Sequence, residues 1–515
     1  MSRFVSRRRF LEDSLLSITA IAGAAYAASN TANAQQSAGT PSANDKIGVA
    51  IIGSGDRARN HMSYHKGNPQ CAILYIVDPD ASRMPDGLIE EIAATQDGIK
   101  PQRVADMRRA FDDKSVDVVS VATTNHWHAL TSVWAVQAKK HVYVEKPGSH
   151  NVYEGLALAA ASKKYNRVVQ IGTQNRSNPS SINAVAFIRE GGIGEVKFAR
   201  GICFRRRAAI GALGNYPIPL DVDYDIWSGP APIRSITRPR FHYDWHWQRL
   251  YGNGDLGNQG PHQTDIARWH LGVERYPNTI IAYGGRLGYD KEKNDPDYID
   301  AGDTANTEVS IYDFGDKCMV FETRGLPTPP LRISNAAADD KRAGVGSAGV
   351  ITYGSKGYVV QTEYNYSAAY DLEGNRIKEF TGGEDRFHHK NFIDAVSKGD
   401  PSAVNADAAC GAMSSALSHL GNISYYLGET NKVSIPELKE RLKEIKSLDD
   451  NDETVDRTVE HLRTNKVELD KTPMSIGPLL KFDHETKRFT NNDAANAMLT
   501  REYRVPYIVP KPENV

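Results

Sequence analysis

The chain has 515 residues, and its 62 Lys and Arg residues almost balance its 63 Asp and Glu residues, which argues against a general nucleic-acid-binding protein. A hydrophobic content of 40% argues against a disordered chain, and no apolar run approaches the ~20 residues that span a bilayer. Four widely separated cysteines exclude a zinc knuckle or a C-x-x-C redox motif: Cys71, Cys203, Cys318 and Cys410. We therefore expect a soluble globular protein, and we favour an enzyme.

The N-terminus has the form of a twin-arginine export signal. Residues 6–11 read Ser-Arg-Arg-Arg-Phe-Leu, small apolar residues follow to about Ala28, and residues 32–34 form a small-x-small cleavage site. We predict a signal peptide over 1–34 and a flexible linker over 35–45. The mature protein would be periplasmic or secreted, with the twin-arginine translocation machinery as its partner during export. This route carries folded proteins, so a cofactor bound in the cytoplasm would leave with the protein.

A dinucleotide-binding pattern follows the linker. The apolar run 48–52 precedes Gly53-Ser54-Gly55-Asp56-Arg57-Ala58, and a helical pattern comes next. The first glycine permits a tight turn, the second lets the backbone approach a pyrophosphate, and the alanine allows close packing of helix on strand. A second apolar run ends at Asp78, the spacing expected for an acid that binds the ribose. A carboxylate there repels a 2′-phosphate, so NAD is favoured over NADP, although Arg57 and Arg83 could partner a phosphate. These residues are the predicted cofactor contacts of the first turn: Gly53, Ser54, Gly55, Asp56, Arg57 and Asp78.

Strand and helix patterns continue to alternate as far as residue 171. Strands are predicted at 116–122, 141–144 and 168–171, and a helix at 128–140. This alternation predicts right-handed β-α-β units and a parallel sheet, and ligands of such sheets bind at the carboxyl ends of the strands. The residues that follow the strands are therefore candidate cofactor contacts: Thr123, Asn125, Glu145, Lys146 and Gln174.

Several motifs together resemble one known family. They are the glycine turn at Gly53, the Thr-Asn-x-x-His run that ends at His128, the Glu-Lys-Pro at 145–147, and the Gly-Pro-His-Gln-Thr-Asp at 260–265. The combination resembles the glucose–fructose oxidoreductase / inositol 2-dehydrogenase family, often called Gfo/Idh/MocA, from about Lys46 to Tyr426. The resemblance adds His128 to the predicted cofactor contacts.

What the resemblance implies is an α/β protein of two domains. The first is an N-terminal Rossmann dinucleotide-binding domain, placed at 46–173. The second is a C-terminal α/β domain with an open, largely antiparallel sheet, placed at 174–464, which binds substrate and takes part in a homo-oligomer. Residues 465–515 lose the alternating pattern, and we predict that they pack as a C-terminal extension.

Members of the family mostly oxidise or reduce a secondary alcohol of a sugar or cyclitol. The resemblance implies that Lys146 touches both nicotinamide ribose and substrate, and that His262 is the acid/base. The chemistry agrees, because a neutral imidazole can take the hydroxyl proton while an ammonium group stabilises the developing alkoxide. Asn258 stands where many members have an aspartate, and an asparagine cannot take a proton. Asp265, one helical turn after His262, is a catalytic candidate that would orient the imidazole, or simply an acid in the first turn of a helix.

An aromatic and polar segment, 241–257, precedes the histidine motif. Aromatic faces stack on sugar rings, although the same residues could form a core cluster. His242 and His246 lack a third ligand, so no metal is expected. The run Arg205-Arg206-Arg207 could bind an acidic substrate or be a solvated charge run. The predicted substrate contacts are Lys146, Tyr243, Trp245, Asn258 and His262.

The predicted export bears on function because a periplasm has no free NAD pool. A cofactor carried there would have to be tightly bound and restored in each cycle. The first hypothesis is an NAD(P)-dependent oxidoreductase acting on a sugar, cyclitol or glycoside. The alternatives are a redox-assisted glycoside hydrolase or lyase, and a periplasmic sugar-binding protein that has kept the fold without turnover.

Overall fold

The computed structural model describes residues 46–332 and 344–515. The predicted signal peptide and linker lie outside the described residues and stay predictions. Within the described part of the chain, no helix combines the length and apolar character needed to cross a membrane.

Six strands form a parallel sheet in the order β3-β2-β1-β4-β5-β6. The central strands are buried on both faces, which explains why they appear in the sequence as unbroken apolar runs. The strand order reverses between β1 and β4, and a crevice for ligands opens at such a point. The strands are β1 (Ile47–Ile52), β2 (Cys71–Val77), β3 (Gln102–Val104), β4 (Val118–Val121), β5 (His141–Glu145) and β6 (Val169–Gly172).

Helices connect these strands, as the alternating pattern predicts. The first begins directly at the glycine turn, where Gly53 has φ +86° and a Cβ atom would lie 2.6 Å from the carbonyl oxygen of Ala122. Only glycine fits this position without strain. The helices are α1 (Asp56–Lys66), α2 (Asp86–Ala93), α3 (Arg108–Asp112), α4 (Asn125–Gln137) and α5 (Val152–Tyr165).

The second domain is built on a larger, mixed sheet with the order β16-β15-β14-β13-β7-β10-β9-β8-β18-β19, and β17 pairs with β8. Among its described strands, the β7–β10 pair is parallel and the other pairs are antiparallel, which confirms the predicted fold class. Two further short strands pair with each other, β11 (Leu331–Arg332) and β12 (Gly344–Val345). The strands of the sheet are β7 (Val196–Cys203), β8 (Thr279–Gly285), β9 (Thr307–Asp313), β10 (Cys318–Arg324), β13 (Ala348–Gly354), β14 (Gly357–Glu363), β15 (Tyr366–Asp371), β16 (Arg376–Thr381), β17 (Ser475–Ile476), β18 (Leu480–Asp483) and β19 (Arg488–Phe489).

Helices cover this sheet. On one face, Ile266 and Leu420 pack against Phe321 of β10. In another core cluster, Leu438 and Leu462 pack against Val320 of the same strand. The helices of this part are α6 (Pro179–Arg189), α7 (Tyr224–Ser228), α8 (Gly254–Asn258), α9 (Gly260–Leu271), α10 (Tyr289–Lys293), α11 (Asp385–Lys398), α12 (Ala408–Leu427), α13 (Ile435–Leu442), α14 (Asn451–Thr464) and α15 (Asp493–Ala497).

Two late segments of the chain return to the first sheet. Phe392 and Ile393 of α11 lie in the core cluster that contains strand β1, and the backbone of Ile171 in β6 donates to Ala406 O at 2.9 Å. Near the C-terminus, Tyr507 packs in the core on the other side of the same sheet, against Trp127 of α4. The core of the nucleotide domain is thus completed by residues far beyond strand β6.

Residues 465–515, predicted as a C-terminal extension, have two parts in the structure. The first part supplies β17, β18 and β19 to the edge of the large sheet beside β8. The second part runs to Tyr507 and Val515, which are buried against the first sheet. This segment therefore contributes to the core of both domains.

Candidate active site

A cleft of about 530 Å³ lies at the carboxyl ends of the strands of the first sheet and is closed by residues of the second domain. It brings together residues that are more than three hundred positions apart in the chain. Ser54 and Asp265 are predicted site residues that do not line it. The predicted residues that do line it are Gly53, Gly55, Asp56, Arg57, Asp78, Thr123, Asn125, His128, Glu145, Lys146, Gln174, Tyr243, Trp245, Asn258 and His262.

The glycine turn leaves bare backbone at the start of α1. A Cβ atom at Gly55 would lie 2.5 Å from Nη1 of Arg83, so a guanidinium group sits directly beside the second glycine. Exposed backbone at a helix N-terminus, with a cation beside it, is suited to a pyrophosphate. This cradle fits a dinucleotide.

Asp78, at the end of β2, is held rigidly. Its carboxylate accepts hydrogen bonds from the backbone N–H of Ser54 at 2.7 Å and of Asp80 at 2.9 Å. Burial raises the pKa of this carboxyl, while the two backbone hydrogen bonds oppose that effect. Ser54 is therefore connected to the site through Asp78, since it does not line the cleft itself.

Glu145, at the end of β5, belongs to a charged network at the cleft. Its carboxylate accepts hydrogen bonds from Arg57 Nε at 2.7 Å and Gln174 Nε2 at 3.1 Å, and lies 3.1 Å from His61 Nε2. Burial would raise its pKa, but the Arg57 guanidinium and His61 hold that pKa well below its usual range. Arg57 also donates to Asp385 of α11 at 2.8 Å. The network fixes the arginine of the glycine turn between the two parts of the chain.

His128 connects two of the strand ends. Its Nδ1 lies 2.6 Å from the carbonyl oxygen of Pro147 and its Nε2 lies 3.1 Å from that of Thr123. Asn125, one turn earlier, donates to the side chain of Asn253 at 3.1 Å. Both residues therefore hold the cleft wall together, in addition to lining it.

Lys146 projects from the turn after β5 toward the second domain. Its Nζ donates to the backbone oxygen of Asn258 at 2.7 Å and to the side-chain oxygen of Asn258 at 3.2 Å. Burial lowers the pKa of Lys146 to about 8; the charge of Glu145 opposes this shift, and nearby arginines add to it. Asn258, which stands where the resemblance implies an aspartate, thus holds the lysine without adding a negative charge.

His262 lies in the first turn of α9 and faces the cleft, with 7% of its surface exposed. Its ring is 5.2 Å from the ring of Tyr364. Its Nδ1 has no hydrogen-bond partner among the described residues. Burial and the charge of Lys146 lower its pKa well below 6.5, so the imidazole is neutral at pH 7 and can accept a proton.

Asp265 does not take the orienting role predicted for it. Its carboxylate accepts two hydrogen bonds from Arg176, both 2.9 Å long, and a third from Ser414 Oγ at 2.6 Å. These partners lie on the buried side of α9, next to α12, away from the cleft. The i, i+3 spacing places Asp265 near His262 along the helix, but the charge of Arg176 draws its carboxylate elsewhere.

Aromatic rings form another part of the cleft wall. Tyr243 is 43% exposed and Trp245 stacks on His246 with ring centroids 3.6 Å apart. This wall can carry the apolar face of a sugar ring. Among the described residues, no group of three His, Cys, Asp or Glu side chains is placed to hold a metal ion, and His242 Nε2 lies 2.6 Å from Asp80.

Sequence reasoning missed part of the lining. Tyr364, whose hydroxyl accepts from Gln259 Nε2 at 2.8 Å, comes from the turn between β14 and β15. Asp385 comes from the start of α11. Neither carries a motif, because both reach the cleft through the folding of distant strands and helices.

Comparison with known proteins gives two matches to family models. Residues 47–173 match the model of the Gfo/Idh/MocA oxidoreductase family for its NAD-binding Rossmann fold. Residues 207–283 match the model of the C-terminal alpha/beta domain of the same family. Over these two segments the chain is therefore similar to the Gfo/Idh/MocA family of oxidoreductases.

Two curated proteins illustrate the likeness. A levoglucosan dehydrogenase of Pseudarthrobacter phenanthrenivorans is 26% identical over 241 residues, 46% of this chain and 54% of that enzyme. An inositol 2-dehydrogenase of Salmonella paratyphi B is 28% identical over 156 residues, 30% of this chain and 44% of that enzyme. The chain thus matches about half the length of these two relatives.

The fold is shared over a larger part of the chain. A solved structure of levoglucosan dehydrogenase in complex with NADH superposes with a TM-score of 0.52 at 18% identity, covering 73% of this chain and 96% of that one. The chain therefore shares the fold of that structure.

Proposed function

We propose that this protein is an NAD-linked oxidoreductase that acts on a secondary alcohol of a sugar or cyclitol. The observation that carries the proposal is that Lys146 and His262 line the same cleft as the glycine turn. One side of the cleft can hold a dinucleotide, and the other presents an ammonium group and a neutral imidazole.

The cofactor contacts follow from the cradle. Gly53 and Gly55 leave the backbone open to a pyrophosphate, and Asp78 is fixed where a ribose hydroxyl would be recognised. A bound nicotinamide dinucleotide would supply the hydride acceptor or donor. The carboxylate of Asp78 favours NAD over NADP, while Arg83 beside Gly55 is the group that could accommodate a phosphate.

The chain's own residues would handle the proton. Neutral His262 can take the proton of the substrate hydroxyl, because its pKa lies well below 6.5. The Lys146 ammonium, held by Asn258, would stabilise the negative charge that grows on the oxygen. Tyr243 and Trp245 would support the sugar ring.

The substrate class is consistent with the relatives, whose names state that they act on levoglucosan and inositol. Export, a tightly bound cofactor that is restored in each cycle, and a homo-oligomer belong to the same proposal. Export and cofactor retention rest on the sequence pattern of residues 1–34. The oligomer rests on the family resemblance.

The test begins with the full-length protein recovered from its native compartment. Denaturation should release NAD, which mass spectrometry would then detect. Turnover should then appear as a change in nicotinamide absorbance with some members of a panel of sugars and cyclitols. Lys146→Ala and His262→Gln should each lower kcat by about 10²-fold or more, whereas Lys197→Ala, at an exposed lysine paired with Glu195, should not.

Three results would contradict the proposal. Normal turnover in both variants would remove the assigned roles. Release of the aryl group from aryl glycosides without net oxidation would favour the redox-assisted glycoside cleavage predicted as an alternative. Sugar binding with neither bound nucleotide nor turnover would favour the sugar-binding alternative.

A further inference from the structure

The three consecutive arginines after β7 differ in their contacts. Arg206 does not line the cleft, and its Nη2 lies 3.5 Å from a carboxylate oxygen of Glu292. Arg207 lines the cleft, but its Nε donates to Asp255 at 2.9 Å. Arg205 also lines the cleft, it is exposed, and its guanidinium has no hydrogen bond or ion pair with any residue the structure describes.

The unpaired guanidinium lies on the substrate side of the cleft. It lines the cleft together with both Lys146 and His262. Burial is the main cause of the lowered pKa of those two groups, and the charge of Arg205 adds to it. Burial raises the pKa of Tyr364 in the β14–β15 turn, and the charge of Arg205 opposes that rise. Arg205 differs in position from Arg57 and Arg83, which lie next to the glycine turn.

None of the acidic residues that the structure describes at the cleft pairs with Arg205. Among the described second-domain residues that line the cleft, Asp385 is the acidic one, and it is paired with Arg57 at 2.8 Å. The other acidic residues of the lining, Asp56, Asp78 and Glu145, belong to the first domain. A cleft with a surplus cation beside a protonated lysine attracts an anionic ligand.

We propose that the substrate is an acidic sugar whose carboxylate pairs with Arg205 while its reacting hydroxyl lies between Lys146 and His262. A guanidinium presents parallel N–H donors that match the two oxygens of a carboxylate and neutralise its single charge. The aromatic wall of Tyr243 and Trp245 carries the ring between these ends. This inference rests on the proposed function and narrows its substrate class to uronates and related sugar acids.

The experiment compares acidic sugars with their neutral counterparts. D-glucuronate and D-galacturonate are tested against D-glucose and D-galactose, with D-glucose 6-phosphate as a second anion. The wild-type protein should have a kcat/KM at least about tenfold higher for a uronate than for its neutral counterpart, the ratio expected for about 1.4 kcal/mol of added binding. Arg205→Gln should abolish most of that ratio, mainly through KM, whereas the neighbouring control Arg206→Gln should keep it.

The outcomes separate this inference from the proposed function. Turnover of neutral sugars without preference for the uronates, or an equal ratio in Arg205→Gln, overturns the inference alone. A preference for the phosphate over the uronates also overturns it. If no sugar is turned over, the proposed function fails, and calorimetry then decides: uronate binding that is lost in Arg205→Gln and kept in Arg206→Gln supports the anion site, and any other result overturns it.

Discussion

The contacts of single side chains decide how the candidate site can work. Lys146 and Asn258 illustrate this, because the asparagine binds the lysine through two oxygens and yet leaves its charge unpaired. Burial can therefore lower the pKa of the lysine to about 8. His262, with a pKa well below 6.5, supplies the base at the same pH.

The first prediction concerns pH. The active form needs Lys146 protonated and His262 neutral, so kcat/KM should fall as pH rises through about 8 and should stay level down to pH 6.5. Asn258→Asp adds a carboxylate beside the ammonium and should move the alkaline limb upward by about one unit. Arg206→Gln serves as the control with an unshifted profile. If Asn258→Asp has the same alkaline limb as the wild-type protein, the titration of Lys146 does not determine that limb.

The second prediction concerns Asp265. Because its partners are Arg176 and Ser414, Asp265→Asn should lower the free energy of unfolding by about 3 kcal/mol, as expected when one member of a buried ion pair is removed. Urea unfolding measures this loss. The pH profile of kcat should keep its shape, whereas a shifted profile with unchanged stability would restore the orienting role that the structure rejects.

At the scale of elements, the sequence predicts the main strands of the first sheet well. It predicts the helix bounds and the short elements of that domain less well. Buried parallel strands are continuous apolar runs, and the glycine turn fixes where α1 begins. The helix predicted at 128–140 begins instead at Asn125, because the polar residues after β4 already form its first turn. Short β3 and the helix α2 were not predicted, since neither has a distinctive period.

The third prediction concerns the glycine turn. Gly53→Ala should destabilise the fold by about 1–3 kcal/mol and weaken nucleotide binding, because the residue has a positive φ and a Cβ would contact Ala122. Gly87→Ala in α2 is the matched control, since a Cβ there meets no atom within 4 Å. It should be neutral or slightly stabilising in thermal unfolding. Equal stability of the two variants would contradict the assigned strain.

At the scale of the whole molecule, sequence motifs pointed to the main predicted site residues. The lining residues that were not predicted reach the cleft through the topology of the fold. Lys146 and His262 could be chosen from the family motifs. Tyr364 and Asp385 could not, because strand pairing and the return of α11 bring them to the cleft. No sequence pattern predicted that residues 475–489 join the large sheet, because the strands there are too short to show a period.

The fourth prediction concerns the C-terminus. Tyr507 is 4% exposed and its ring centroid lies 5.4 Å from that of Trp127. Tyr507→Ala should therefore lower the free energy of unfolding by about 3 kcal/mol in denaturant titrations. Ile508→Ala, at a neighbour that is 49% exposed, should change it by less than about 0.5 kcal/mol. Similar small effects at both positions would show that the terminal segment adds nothing to the first core.

The return of α11 and of the C-terminus to the first sheet determines how the chain can be divided. A fragment ending at residue 173 would contain every strand of the nucleotide sheet, yet it would expose the surfaces that Phe392 and Tyr507 cover. Such a fragment should aggregate or fold incompletely. Synthesis must therefore extend past Tyr507 before the first domain can close around its core.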